Sequence, residues 1–433
     1  MAAAELRTSE GGGIFHPGRD SLGSWRLQGI ADDGSHPLRI PEGPKACGKT
    51  ETGMQQARST VRLDADEAAR QAARVAPEIV LAGEVPRLID EWQIEPSIWN
   101  HVRRAIDERK ARGLFILAGS AVPADDIVRH TGAGRISRLR MRTMSLYESG
   151  WSSGHISFSQ IFRGESIQAT DHSVPIGDVL SWICRGGWPA TIGEEDTDAF
   201  QYVRDYLDEI RRADIRRVDG VDRDPVRVER VIRSYARHIA TYASVATISA
   251  DAAGADVEPH PETVSDYLQA LDRLMITEDQ PAWAPHLRSR SRLRSAPKRH
   301  FVDPSLAVAA MRATPQSLLA DLRLAGFLFE SLVVRDLRIF AQATDARVLQ
   351  YRDNTGLEVD AVVEHADGRW AAFEVKLGSS YIEEAADTLL RFADRIDTSR
   401  VGLPTALAVV VPGGYGYRRP DGVSVLPLAA MGP

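Results

Sequence analysis

Short apolar runs alternate with stretches of helical periodicity from residue 43 to about 200. Ile79-Val80-Leu81, Arg87-Leu88-Ile89-Asp90 and Leu114-Phe115-Ile116-Leu117 have strand length, and between the last two Ile98, Val102, Ala105 and Ile106 recur at the spacing of one helix face. Strand, helix, strand in that order is a βαβ unit, which predicts a parallel sheet with crossover helices. Residues 201–300 read as mostly helical. Val228, Ile232, Tyr235, Ile239 and Tyr242 share one face, and Thr263 with Asp266 has the pattern of a capping box ahead of Tyr267, Leu268, Leu271 and Leu274. Residues 301–433 open with a helix over 327–340, followed by strand-like segments at 347–351, 358–363, 370–376 and 406–411. The pattern therefore predicts an α/β protein in four parts: an atypical, disordered segment 1–40, an α/β unit 41–200, a helical linker 201–300 and a second α/β unit 301–433.

Bulk properties narrow the class of function. The net charge of −7 argues against a general nucleic-acid coat, although a local basic patch remains compatible with phosphate contact. Cys47 and Cys184 are the two cysteines of the chain, too few for a disulfide framework or a four-cysteine zinc site. Nothing approaches the ~18 apolar residues of a spanning helix, and the N-terminus lacks the basic start and apolar core of a signal peptide. The expectation is a cytoplasmic protein with no membrane partner.

One motif carries strong chemistry. Gly43-Pro44-Lys45-Ala46-Cys47-Gly48-Lys49-Thr50 matches G-x-x-x-x-G-K-[ST] at every fixed position. Glycines let consecutive backbone N–H groups face one anion, and the helix that follows adds its positive end. Lys49 then reaches the outer phosphates of ATP, while the Thr50 hydroxyl ligates Mg²⁺. About forty residues on, Asp90 and Glu91 close an apolar strand: Asp90 places the metal, and Glu91 polarises the attacking water. Ser120, at the end of the next strand, stands where a γ-phosphate sensor would sit or caps a helix. Arg138, Arg140 and Arg142 alternate with Leu139 and Met141 and so share one strand face, solvated, salt-bridged or turned toward nucleotide.

Together with Pro86-Arg87-Leu88-Ile89-Asp90-Glu91-Trp92-Gln93, Phe115-Ile116-Leu117-Ala118-Gly119-Ser120, Arg185-Gly186-Gly187-Trp188-Pro189 and Pro297-Lys298-Arg299-His300-Phe301-Val302-Asp303-Pro304, this loop resembles prokaryotic AAA-type P-loop ATPases that carry an uncharacterised C-terminal domain. The resemblance runs from Gly43 almost to the C-terminus and implies ATP binding and hydrolysis, with no particular substrate. One departure stands out. Such proteins place an apolar strand before the loop, whereas His36-Pro37-Leu38-Arg39-Ile40-Pro41-Glu42 has two prolines and an arginine, a poor central strand because proline cannot donate to the ladder.

The C-terminal part holds a second constellation. Asp360 in Gly356-Leu357-Glu358-Val359-Asp360, then Glu374 and Lys376 in Phe373-Glu374-Val375-Lys376, form a D…E-x-K arrangement that resembles the nuclease superfamily named for it. Glu374 and Lys376, two apart on a strand, share a face. Asp360 and Glu374 suit a divalent cation, and Lys376 a water. Glu330 lies on the apolar stripe of its helix, where a carboxylate needs a partner or a metal. Between them and the ATPase part, Arg288, Arg290, Arg292, Arg294, Lys298 and Arg299 crowd together as a phosphate track or an interdomain surface paired with Asp219, Asp222 and Asp224. The preceding helices fit a winged-helix module with 277–283 as its wing. Three readings follow: an ATPase coupled to its C-terminal domain, an ATP-gated nucleic-acid-binding protein or nuclease, and a nucleotide-binding scaffold for a protein partner. The oligomeric state is open.

Overall fold

The computed structural model describes residues 38–119, 134–165, 167–217, 220–221, 223–253, 260–285 and 296–433. Five strands, β1 (Leu38–Glu42), β2 (Ser59–Arg62), β3 (Arg87–Asp90), β4 (Phe115–Ala118) and β5 (Ile136–Arg140), form a wholly parallel sheet in the order β2-β3-β4-β1-β5. Helices cover both faces, as the βαβ pattern predicts. On one, Leu38, Ile40, Ile89, Phe115 and Leu117 pack against Ile98, Trp99, Val102 and Ile106 of helix Ile98–Arg109. On the other, Leu88, Ile116 and Ala118 meet Met54 from helix Lys49–Gln56.

Two expectations about this sheet are corrected. Ile79-Val80-Leu81 lies in the short helix Pro77–Leu81, not a strand. Proline at the first helical position starts it, and Ile79 is exposed while Val80 and Leu81 are buried. Leu38–Glu42, read as a poor central strand, sits between β4 and β5. Pro41 is tolerated because of the direction its nitrogen faces. Leu38 N–H donates to Arg135 O and Met141 N–H donates to Glu42 O, so residues 38, 40 and 42 face β5. Residues 39 and 41 then face β4, where the register ends at Arg39 opposite Ile116. The ladder has stopped before proline's missing donor would be needed.

The second sheet is mixed. After the two-residue β6 (Ile156–Ser157) come β7 (Ala346–Arg352), β8 (Glu358–His365), β9 (Trp370–Val375), β10 (Ala406–Val411), β11 (Tyr417–Arg418) and β12 (Ser424–Pro427), in the order β11-β12-β10-β9-β8-β7. The last strand, β13 (Met431–Gly432), returns to pair with β6. Alternation along β9 and over 361–363 of β8 sends Ala361, Val363, Ala371 and Phe373 toward helix Leu322–Ala343, and Val362, Trp370 and Ala372 toward helix Ile382–Arg395; a register shift in β8 puts Val359 on the second face as well.

Helices Asp196–Glu209, Pro225–Arg237, Val245–Ala252 and Pro261–Arg273 fill the middle, and one continuous apolar cluster joins them to helix Leu322–Ala343 and the second sheet. The proposed capping box is not the start of helix Pro261–Arg273: His260 caps it, and Thr263 and Asp266 lie inside it, because Pro261 already begins the first turn. Residues 277–283 run extended, with antiparallel bridges from Thr277 to Phe301 and Gln280 to Lys298, and a parallel bridge from Ala282 to Gln350 of β7. Ser120, Asp219, Asp222, Arg288, Arg290, Arg292 and Arg294 lie outside the described residues.

Candidate functional site

The phosphate-loop residues gather at the carboxyl ends of the parallel strands, where open α/β sheets place their ligand crevice. β1 delivers Gly43, and Lys49 opens the helix. The glycines are required by space and by backbone. A Cβ at Gly43 would meet Met141 O at 2.4 Å, and Gly48 has φ 96°, a left-handed value that a side chain resists. Cys47 is wholly buried and fills the loop's underside. Lys49 is buried, with its ammonium donating to the carbonyls of Gly43 at 2.9 Å and Pro44 at 2.7 Å. Lys45 pairs with the buried Asp214 at 2.7 Å, and the Tyr206 hydroxyl donates to Lys45 O at 3.3 Å, so the loop is held from the helical part as well. Asp214 ends a π-helical turn, Ile210–Asp214, a distortion that helices often carry where they meet a site.

The second motif converges on this loop. Thr50 Oγ1 donates to Asp90 Oδ1 at 3.0 Å across forty residues of chain. Burial raises the Asp90 carboxyl above its usual range, against the pull of the Thr50 hydroxyl. Glu91, next in sequence, has φ 51°, a left-handed conformation uncommon for a residue with a side chain. That turn points Glu91 away from the strand direction, and its carboxylate accepts a bond from Gln93 Nε2. Burial also raises Glu91, against the Gln93 bond, which brings it closer to the range where a carboxylate serves as a base. The hydroxyl and carboxylate of Thr50 and Asp90 are adjacent hard oxygen donors of the kind Mg²⁺ prefers.

The arginines of β5 and Arg142 just beyond it are salt-bridged. Arg138 pairs with Glu42, and Arg142 forks onto Glu278 at 2.6 and 2.8 Å while also donating to Gln342 at 2.7 Å. Arg142 ties the end of the first sheet to the extended segment and to helix Leu322–Ala343, whereas Arg138, half exposed, pairs within the sheet.

Two sequence motifs that suggested no chemistry meet in a buried junction. Asp303 Oδ2 accepts from Thr143 Oγ1 at 2.6 Å, Gly187 N–H at 2.9 Å and Arg335 Nη1 at 2.9 Å. Trp188 Nε1 donates to Ser305 Oγ at 3.1 Å, and its ring lies 4.3 Å from that of Tyr206. Asp336, beside Arg335, accepts Leu146 N–H at 2.9 Å. The Gly-Gly pair is sterically forced: a Cβ at Gly187 would sit 1.9 Å from Met144 O. Sequence reasoning missed Asp303. Its signal was Asp before Pro304, the pattern of a helix cap, and it does accept Ser305 N–H at the start of helix Pro304–Met311.

The C-terminal constellation also assembles, with an unforeseen member. Lys376 Nζ lies 2.7 Å from Glu374 Oε2 and 3.9 Å from Asp360 Oδ2, and Val375 N–H donates to Asp360 Oδ2 at 3.0 Å. Glu330, from helix Leu322–Ala343, faces the same cluster through Lys298, whose Nζ lies 2.6 Å from Glu330 Oε1 and 2.9 Å from Asp360 Oδ1. Burial and the nearby Asp360 push Glu330 and Glu374 up to about 8 against the pull of the lysines. Burial alone would raise Asp360 too, but Lys298 and Lys376 outweigh it and hold that carboxyl low. Among the described residues no group of three or more His, Cys, Asp or Glu is placed to hold a metal ion.

Among the described residues no helix is long and apolar enough to cross a membrane. Residues 176–317 match a family model described as a domain of unknown function (DUF8612), and residues 325–431 match a second (DUF4143). No curated protein matches the chain. Similar solved structures include a Walker-type ATPase of Pyrococcus abyssi, at 12% identity and TM-score 0.40, covering 67% of this chain and 97% of that one. The ORC2 protein of Aeropyrum pernix, solved with ADPNP and ADP, shows 12% identity and TM-score 0.29, covering 70% and 94%. A mutant RuvB of Thermotoga maritima shows 14% identity and TM-score 0.26, covering 60% and 89%. At such identities and scores, the chemistry is left to the chain's own residues.

Proposed function

We propose that the chain is a P-loop ATPase that binds Mg-ATP at Gly43, Pro44, Lys45, Ala46, Cys47, Gly48, Lys49 and Thr50 and hydrolyses it with Glu91 as the base. The observation that carries this reading is the contact of Thr50 with Asp90 at 3.0 Å beside a glycine-formed loop that leads straight into a helix. Backbone N–H groups of the loop and the start of helix Lys49–Gln56 would face the phosphates. Lys49, held at the loop mouth by two carbonyls, would turn its ammonium to the outer phosphate oxygens. Thr50 and Asp90 would hold Mg²⁺, which when bound neutralises charge on the β- and γ-phosphate oxygens. Glu91 would accept the proton of the attacking water, a role its burial favours. Ser120, next after Gly119 in the sequence, would sense the γ-phosphate in this reading or cap a helix.

The same reading couples nucleotide to the C-terminal unit. Pro189 lies 3.7 Å from where a Cβ on Gly48 would be, and the neighbouring Gly187 and Trp188 bond to Asp303 and Ser305. A shift at the phosphate loop therefore bears on the buried junction, and through it on a protein or nucleic-acid partner of the C-terminal half. ATP turnover of the wild type, Lys49→Ala and Glu91→Gln tests the assignment. Glu91→Gln should retain binding and lose about 10²–10⁴-fold in rate, the usual contribution of a general base. Equal turnover in all three would reject it.

A further inference from the structure

The carboxylates Glu330, Asp360 and Glu374 come from three elements of the C-terminal unit: helix Leu322–Ala343, β8 and β9. The cation between two of them comes from elsewhere. Lys298 belongs to the extended segment that precedes this unit, and its side chain is 3% exposed. The Lys298 backbone is bonded to Gln280 in both directions, at 3.0 and 2.8 Å. Gln280 is wholly buried, and its amide donates to the carbonyls of Leu349 and Asp360, each at 3.0 Å. His300 Nε2 lies 3.2 Å from Gln280 Oε1, and His300 Nδ1 lies 3.1 Å from Ser331 Oγ on the helix that carries Glu330. The Tyr242 ring lies 5.6 Å from the Lys298 ammonium, within reach of a cation–π contact. The backbone of Lys298 is thus docked on Gln280, and its buried side chain holds the ammonium against Glu330 and Asp360.

Buried carboxylates with no counter-cation would lose their hydration with nothing to offset it. Lys376 lies 2.7 Å from Glu374, and Lys298 brings a second positive charge to Asp360 at 2.9 Å and to Glu330 at 2.6 Å. Carboxylate oxygens are also the donors preferred by hard divalent cations such as Mg²⁺ and Mn²⁺. An ammonium bonded to both residues takes the volume and the charge role that such an ion would have.

We propose that Lys298 is the built-in cation of the carboxylate cluster, standing where a divalent metal would bind, so that the C-terminal unit is closed to metal-dependent chemistry while residues 296–301 stay docked on 277–280. This reading is independent of ATP binding at the phosphate loop.

Calorimetric titration of the full chain with Mn²⁺, without nucleotide, tests it. The set is the wild type, Asp360→Asn, Lys298→Met and Lys298→Met/Asp360→Asn. Lys298→Met keeps a stem of similar length over Tyr242 while removing the charge. It should gain one Mn²⁺ site at least about tenfold tighter than any in the wild type, the scale on which altered partners of metal ligands change affinity. The double variant should lose that site again, and Asp360→Asn alone should leave wild-type Mn²⁺ binding unchanged. A folded Lys298→Met that gains no site would overturn the proposal, as would a wild-type site weakened by Asp360→Asn. Should Lys298→Met fail to fold in EDTA, its folding is measured again with Mn²⁺ present. Rescue by Mn²⁺ that the double variant does not share supports the proposal, and failure of rescue overturns it.

Discussion

Asp303→Ala removes the acceptor on which three parts of the chain converge. In the wild type this carboxylate is fully buried and holds the Thr143 hydroxyl, the Gly187 and Ser305 amides and the Arg335 guanidinium. Truncation leaves Arg335 buried with its remaining partner Asp336, 2.8 Å from Nη2. Breaking one side of a buried ion pair costs about 3–5 kcal/mol. The surviving Asp336 moves the expectation to the lower end of that range, while the orphaned Gly187 amide adds about 1–3 kcal/mol. A loss near 4 kcal/mol is therefore predicted, read as a lower urea midpoint of far-UV circular dichroism at unchanged slope. The pH dependence has a definite sign. Burial alone would raise Asp303, but Arg335 and the bonds from Ser305, Thr143 and Gly187 outweigh it and hold the carboxyl below its usual value. Its contribution is thus fully present above the ordinary carboxylate range and is lost as pH falls through the lowered value. The difference between wild type and Asp303→Ala should be constant from pH 7 to 5 and shrink in stronger acid. A loss under about 1 kcal/mol would refute the view that this junction holds the two halves together.

Gly187→Ala should destabilise the junction by a comparable route, since its Cβ would lie 1.9 Å from the Met144 carbonyl oxygen and one backbone must move; a melting curve identical to wild type would contradict that packing. The acid limb of ATP turnover reports Glu91. Burial raises its carboxyl, so the basic form is lost as pH falls through a value above that of an ordinary glutamate, and a limb centred at or below the ordinary value would exclude it as the base. Thr50→Val deletes the hydroxyl bonded to Asp90 and should weaken the Mg²⁺ dependence of nucleotide binding by about tenfold, the scale of one lost bond to a charged group. Binding that depends on Mg²⁺ as in the wild type would remove Thr50 from the ligand set.

What the sequence discloses and what it hides follow physical lines. The loop at Gly43 and Gly48 is legible because its chemistry needs fixed residue types at fixed local spacing, and the strands of the second sheet are legible as short runs rich in apolar, β-branched and aromatic residues at 347–351, 358–363 and 370–376. β1 is hidden by Pro41, whose effect depends on which neighbour its nitrogen faces, a fact of register that composition does not contain. The helix at Pro77–Leu81 is hidden by three apolar residues in a row, a pattern common to strand and helix. Lys298 reads as one more charge in a basic stretch, and its role appears only when β8 and a helix residue 32 positions away close around it. Asp303 looks like a helix cap and is one, yet its partners Thr143 and Gly187 lie 160 and 116 residues away.

Calorimetric titration of Mg-ATP into the wild type and Lys49→Ala addresses the phosphate loop most directly. One saturable site in the wild type, weakened at least about tenfold by loss of a charge-assisted bond of ~1.5–3 kcal/mol, is the predicted result. Equal affinity in both proteins, or no site in the wild type, would contradict it.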